Sequence, residues 1–275
     1  MGNQQTSDPA GVALVTGGSK GLGRAVAVGL GTAGFAVAVV ARPSEALAET
    51  HALLEGNGVP STACAVDVRD ADAVAAAVAA AENKLGPISV VVNNAGTSIA
   101  VGPLWEVDSG DWWTDIETSL GGAFNVCRSV IPGMITRRQG RILNVSSYAG
   151  LRPAPYQSGY GCAKAGLANL TESLAASLQP YGVRAFTVTP GFVRTSHTSY
   201  LTKSPEGRRW LPELQERESL DPDLFVRLTV TVALGGADIL NGRFLHALDD
   251  ISELVRRFGD VKSEELYAPR LRRLS

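Results

Sequence analysis

The chain of 275 residues is short of cysteine, short of charge and without a long apolar run, and each shortage removes a class of protein. Its three cysteines, Cys64, Cys127 and Cys162, lack metal-ligand spacing, and an odd number argues against a disulfide framework; a reducing, cytoplasmic setting is expected. The apolar stretch near the start, "GFAVAVVA", is far too short to span a bilayer, so no membrane partner is expected. Charged residues make up 19% of the chain and the net charge is -2, which gives a nucleic acid nothing to bind. The locally basic end "APRLRRLS" reads as a solvated terminus. No His/Cys/Asp/Glu group has metal-site spacing, and His51, His197 and His246 are isolated. The opening "MGNQQTSDPAG" has no basic segment followed by an apolar one, so it is no signal peptide. It loosely matches a myristoylation pattern, but a flexible polar leader over 1–10 accounts for the same residues.

What is present is a core. Hydrophobic residues form 45% of the chain, enough for one large domain over 11–275. Apolar β-type runs at 12–16, 35–41, 61–66, 88–92, 141–145 and 183–189 alternate with helical segments such as "DADAVAAAVAAAENKLG". The runs are continuous rather than alternating, as in strands buried on both faces. The pattern predicts an α/β domain with a doubly wound, Rossmann-like parallel sheet and helices on both faces. After the sixth strand the alternation lapses. Residues 192–223 are polar, broken by prolines and dotted with Tyr200, Leu201, Trp210 and Leu211, which predicts a partly helical lid over a substrate.

Directly after the first strand, "TGGSKGLG" sets Gly17, Gly21 and Gly23 at the start of a helical pattern. Such a turn lets backbone approach a pyrophosphate, whose charge meets the free N–H groups of a helix N-terminus. The spacing differs from the commonest dinucleotide fingerprint, and the placement between first strand and first helix carries the reading. A site preferring NAD has an acid about 20 residues downstream. Here the second strand ends in Ala41 and Arg42, and Lys20 adds a cation within the turn. Two cations and no acid favour the 2′-phosphate of NADP(H).

Six motifs in order, "TGGSKGLG", "DV" at 67–68, "NNAG" at 93–96, "NVSS" at 144–147, "YGCAK" at 160–164 and "PGFVRT" at 190–195, resemble those of the short-chain dehydrogenase/reductase family, over about 10–195. The resemblance implies a nicotinamide cofactor held by Gly17, Ser19, Lys20, Gly21, Leu22, Gly23 and Arg42. Asp67 and Val68 would border the adenine, and Asn94, Ala95 and Gly96 would line the cofactor. Pro190, Gly191, Val193 and Thr195 would cover the nicotinamide, with Tyr160 and Lys164 alongside. It implies Ser147, thirteen residues before Tyr160, as the catalytic serine. It also implies a homodimer or homotetramer packed through helices at about 112–137 and 159–179.

Tyr160 and Lys164, four apart, share a helix face. A free phenol titrates near 10, and a nearby ammonium brings it within reach of acid/base work. Tyr160 would then pass a proton to a carbonyl oxygen while the nicotinamide delivers hydride, with Ser147 bonding that oxygen. One position departs from the family: Ser119 stands where its relay asparagine is usual, and a serine is too short to hold the same geometry. Ser98, Leu151, Arg152, Tyr156 and Phe192, with the lid, would form the substrate side. Their apolar majority suggests a hydrophobic or aromatic carbonyl compound, while Arg152, Arg208 and Arg209 leave room for an anionic one. The sequence thus points to an NADP(H)-dependent ketoreductase or alcohol dehydrogenase. A non-redox enzyme on the same fold and a non-catalytic dinucleotide sensor are the alternatives. The ending "NGRFLHALDDISELVRRFGDVKSEELY" has no assigned role.

Overall fold

The structure, a computed structural model, describes residues 10–270. The leader at 1–9, the basic end at 271–275 and the side chains of Ser196 and His197 lie outside the description. Seven parallel strands form one sheet in the order β3-β2-β1-β4-β5-β6-β7. They are β1 (Val12–Thr16), β2 (Ala36–Ala41), β3 (Ser61–Ala65), β4 (Ile88–Asn93), β5 (Gly140–Val145), β6 (Val183–Thr189) and β7 (Phe244–His246). Six coincide with the predicted runs to within a residue. The seventh, three residues long, is too short to show any periodicity and lies in the stretch left unassigned.

Strand geometry explains why the runs are continuous. Successive side chains point to opposite faces, and here both faces are covered. Ala13 and Val15 join one apolar cluster with Leu30, Phe186 and Phe225, beneath α1 (Gly21–Thr32), α2 (Glu45–Gly56) and α10 (Pro222–Ala233). Val12 and Leu14 join a second with Met134, Ile142 and Leu178, beneath α3 (Ala71–Leu85), α5 (Gly122–Arg137) and α6 (Ser158–Leu178). Asp70 starts α3 by accepting the Ala73 N–H at 2.9 Å, a cap that offsets an unpaired backbone donor.

Helix α4 (Ser109–Ile116) runs into α5 through one wide π turn at Glu117–Gly121, the segment that holds Ser119. After β6 come α7 (Ser196–Lys203), α8 (Pro205–Trp210) and α9 (Glu213–Glu216), short helices with a small core of their own: Val101, Phe192, Leu201, Leu211 and Leu214, backed by Tyr156 and Trp210. The chain then ends in α11 (Ile251–Arg256) and α12 (Phe258–Ser263). Among the described residues no helix is long and apolar enough to cross a membrane.

Candidate active site

Strand order reverses between β1 and β4, and in open α/β sheets ligands bind at the carboxyl end of that switch point. A cavity of about 630 Å³ opens there. Every residue expected to hold the cofactor lines it: Gly17, Ser19, Lys20, Gly21, Leu22 and Gly23 from the first turn; Arg42 after β2; Asp67 and Val68 after β3; Asn94, Ala95 and Gly96 after β4; Tyr160 and Lys164 from α6; and Pro190, Gly191, Val193 and Thr195 after β6. Sequence reading missed Arg69, Thr97 and Thr118, which share the lining but belong to no quoted motif.

The cavity wall suits a dinucleotide. Gly17 has φ +64, and a methyl group there would stand 2.9 Å from Asn94 Nδ2 and 3.0 Å from Ala95 Cα, so only glycine lets the turn pack against the loop after β4. Asn94 Nδ2 donates to the Thr16 carbonyl at 3.0 Å, and Thr16 Oγ1 accepts the N–H groups of Asn94 and Ala95, each at 3.0 Å. These bonds hold the two loops together, and the start of α1 lines the cavity at Gly21, Leu22 and Gly23. Asp67 is taken by Arg69, whose Nη2 donates at 2.8 Å, and that bond is the main reason its carboxyl sits below the usual carboxylate range. Arg42 is exposed and its guanidinium makes no hydrogen bond to a described residue.

A buried ladder places Tyr160 and Lys164. Asn93 Nδ2 donates to Asn144 Oδ1 at 2.8 Å, Asn144 Nδ2 to Thr171 Oγ1 at 2.9 Å, and Thr171 Oγ1 to the Leu167 carbonyl at 2.7 Å. The ladder ties β4 and β5 to α6, and with it the height of Tyr160 and Lys164. Lys164 Nζ is buried, donates to the Val145 carbonyl at 2.7 Å and stands 5.5 Å from the Tyr160 ring centre. Burial pulls its ammonium down to about 8. The Tyr160 phenol is pushed above its ordinary value mainly by burial, is drawn back by a hydrogen bond with Ser147, and is raised again by the charge of Asp115.

Ser147 closes the short turn Tyr148–Gly150 by accepting the Ala149 N–H at 3.2 Å, while Ser146, its neighbour, bonds the Lys164 carbonyl at 3.0 Å. Ser119 Oγ is buried and has no hydrogen-bond partner among the described residues. A methyl group at Gly96 would lie 3.0 Å from that oxygen and 3.4 Å from Lys164 Nζ, so the hydroxyl and the ammonium face one small space. Asn125 serves elsewhere, donating to the Val68 carbonyl at 2.9 Å.

The residues expected on the substrate side separate into three places. Ser98 is wholly buried and accepts from Gln157 at 2.7 Å, so its hydroxyl braces the loop after β4. Tyr156 packs on Trp210, and Phe192 is buried between the guanidinium groups of Arg194 and Arg217. Leu151 and Arg152 stay exposed; Leu151 borders a second cleft of about 220 Å³ with Tyr148, Phe244 and His246. His246 stacks on Tyr148 and accepts the Leu248 N–H at 3.0 Å, a structural role.

Fold and cavity together define a Rossmann-like α/β protein with a ligand site at its topological switch point. The family model described as short chain dehydrogenase matches residues 11–206. A short chain dehydrogenase of Pseudocercospora fijiensis is 33% identical over 273 residues, covering 93% of this chain and 87% of its own. Acetoacetyl-CoA reductase of Shinella zoogloeoides is 32% identical, covering 86% of this chain and 96% of its own. Among solved structures, an actinorhodin polyketide ketoreductase with NADPH superposes with a TM-score of 0.78 at 30% identity, covering 88% of this chain and 97% of that one. An NAD+-bound xylitol dehydrogenase gives 0.79 at 26%, covering 87% and 98%. The chain belongs to the short-chain dehydrogenase family, oxidoreductases that use a nicotinamide cofactor on small-molecule substrates.

Proposed function

We propose that the protein is an NADPH-dependent ketoreductase acting on a hydrophobic or aromatic carbonyl compound. The observation that carries this reading is the joint presence, in one cavity, of Tyr160 with Lys164 and of Lys20 with an Arg42 that no described residue bonds, with no acid at the end of β2. Asp67, a carboxylate that feels the charge of Arg42, is already held by Arg69. Charge-assisted bonds from Arg42 and Lys20 suit a 2′-phosphate. The carbonyl-reducing activities named for its acetoacetyl-CoA and polyketide relatives support the reaction class.

The bound cofactor would supply hydride to the carbonyl carbon. The chain's own residues do the rest. Tyr160 gives its phenolic proton to the carbonyl oxygen, Ser147 bonds the same oxygen and steadies the charge that develops on it, and Lys164, fixed on the Val145 carbonyl, stabilises the phenolate left behind. Ser119 faces the ammonium and offers a hydroxyl for returning the proton. Residues 192–223 form a lid whose apolar inner side, with Tyr156 and Phe192, favours an apolar substrate. In this reading the chain is a cytoplasmic homodimer or homotetramer packed through α4, α5 and α6, where Trp113 and Phe124 stand exposed.

The test is a panel of acetoacetyl-CoA, aromatic ketones and aliphatic ketones, run with NADPH and NADH. Tyr160→Phe lowers kcat by about 10²–10⁴-fold and leaves NADPH binding intact. Arg42→Ala weakens NADPH by about 10–100-fold and NADH little, the scale of hydrogen bonds to a charged group. An Arg42→Ala enzyme that still prefers NADPH sinks the cofactor reading, and turnover unaffected by Tyr160→Phe sinks the mechanism.

A further inference from the structure

Lys20 and Arg42 line the same cavity but come from separate elements, Lys20 from the turn before α1 and Arg42 from the chain between β2 and α2. Like charges repel, so two cations serving one phosphate need a frame that holds them in place. Arg24, in the first turn of α1, supplies that frame. Its Nη2 donates to the Ser19 carbonyl at 2.7 Å and, across to α2, to the Ala46 carbonyl at 3.0 Å and to Glu49 Oε2 at 2.9 Å. Its Nε donates to Thr50 Oγ1 at 2.7 Å, and the hydroxyl of this wholly buried threonine donates to the same Ser19 carbonyl at 2.8 Å. The peptide that begins with that carbonyl ends at the Lys20 nitrogen and is planar, so pinning its oxygen fixes where Lys20 starts. Ala46, on the other side of the clamp, is in the first turn of α2, just after Arg42, Pro43 and Ser44. Ser19 and Ala46 both line the cavity, whereas Arg24 stays outside its wall. Its charge is matched by Glu49, itself exposed, so Arg24 acts on a ligand through the chain it holds.

We propose that Arg24 is a positioning residue for cofactor choice: it clamps the glycine turn to α2 and so holds Lys20 and Arg42 together as a preformed receptor for the 2′-phosphate of NADPH. The inference rests on the NADPH reading and deepens it. A guanidinium suits the task because its planar fork holds several acceptors at fixed angles, which an ammonium on a flexible stem does not. Two cations already held in place need no ordering when the phosphate arrives, and that advantage goes to the phosphorylated cofactor alone.

The clamp can be read without any substrate, by fluorescence titration of the protein with NADPH and, separately, with NADH. In Arg24→Gln the ratio of the NADH to the NADPH dissociation constant falls about tenfold, the scale of lost hydrogen bonds to a charged group. Arg24→Lys, which keeps the charge and loses the fork, falls alike. Thr50→Val removes one of the two donors on the Ser19 carbonyl at nearly constant shape; it lowers the ratio by about threefold and replaces the arginine variants should they fold poorly. In an Arg42→Ala background Arg24→Gln has little further effect on the ratio, because the clamp works through the paired cations. A general loosening of the fold weakens both cofactors together and leaves the ratio where it was. An unchanged ratio in Arg24→Gln therefore overturns the proposal, as does a wild-type ratio in Arg24→Lys, or effects of Arg24→Gln and Arg42→Ala that simply multiply. Failure of the NADPH reading shows instead as a wild type that binds NADH as tightly as NADPH, with the preference missing before any substitution.

Discussion

Lys164 shows how far burial overrides a side chain's ordinary chemistry. Its single described hydrogen bond, to the Val145 carbonyl, does not replace the water lost, and the ammonium is pulled from 10.5 down to about 8. Below about 8 both folded and unfolded chains carry the proton, and the folded state bears the full cost of a buried charge. Between about 8 and 10.5 the unfolded chain binds more protons, so this cost is relieved as pH rises. The expected stability gap between wild type and Lys164→Met therefore moves in the wild type's favour from pH 7.5 to 10.5, by on the order of 3 kcal/mol, read by urea unfolding at each pH. A gap that does not change with pH would mean the ammonium is solvated. The phenol and amine of α6 were legible because a four-residue spacing puts them on one face. Asp115 was not, because an acid in the last turn of a helix reads as surface until the loop after β4 is seen folded over it.

The short elements after β6 depend on contacts that no periodicity announces. Ser204 ends α7 and caps α8, accepting the Gly207 N–H at 3.0 Å, and a methyl group at Gly207 would fall 1.6 Å from the Leu201 carbonyl. Gly207→Ala should force α7 and α8 apart at a strain of about 1–3 kcal/mol. Their core of Leu201, Leu211 and Leu214 is separate from the two main clusters, so the damage should stay local. Faster hydrogen exchange over 196–216 and a raised KM for the carbonyl substrate are expected, with the main thermal transition little changed; a matching drop in Tm would show the segment to be part of the main core. The six long strands were legible because both of their faces are apolar. The π turn at Glu117–Gly121 was not, since it arises where α4 and α5, each packed on different neighbours, must join as one helix.

At the scale of the molecule, the outer edge of the sheet is closed by the chain itself. The outward N–H of Phe244 donates to the Tyr267 carbonyl at 2.7 Å and that of His246 to Asp249 at 2.6 Å. Arg270 pins the same segment, bonding Glu172 on α6 and Glu265, each at 2.8 Å. An open parallel edge is a template for pairing with another chain, and this segment covers it. A chain ended after Ser263 should lose about 1–3 kcal/mol, the cost of an unpaired buried donor with its lost packing, and associate further as concentration rises, as measured by light scattering. An unchanged mass at all concentrations would show that the covered edge has no part in keeping chains apart.

The sequence by itself determined the sheet, the glycine turn and the pairing of Tyr160 with Lys164, because each rests on local spacing: strands on runs of apolar residues, the turn on glycines, the pair on helical pitch. Tertiary structure alone decided what depends on distant segments meeting. It set β7 against β6, folded the C-terminal segment over the open edge, turned Ser119 toward Lys164 with no hydrogen-bond partner among the described residues, and buried Asp115 under the loop after β4. Burial and proximity, not residue type, set how those groups ionise.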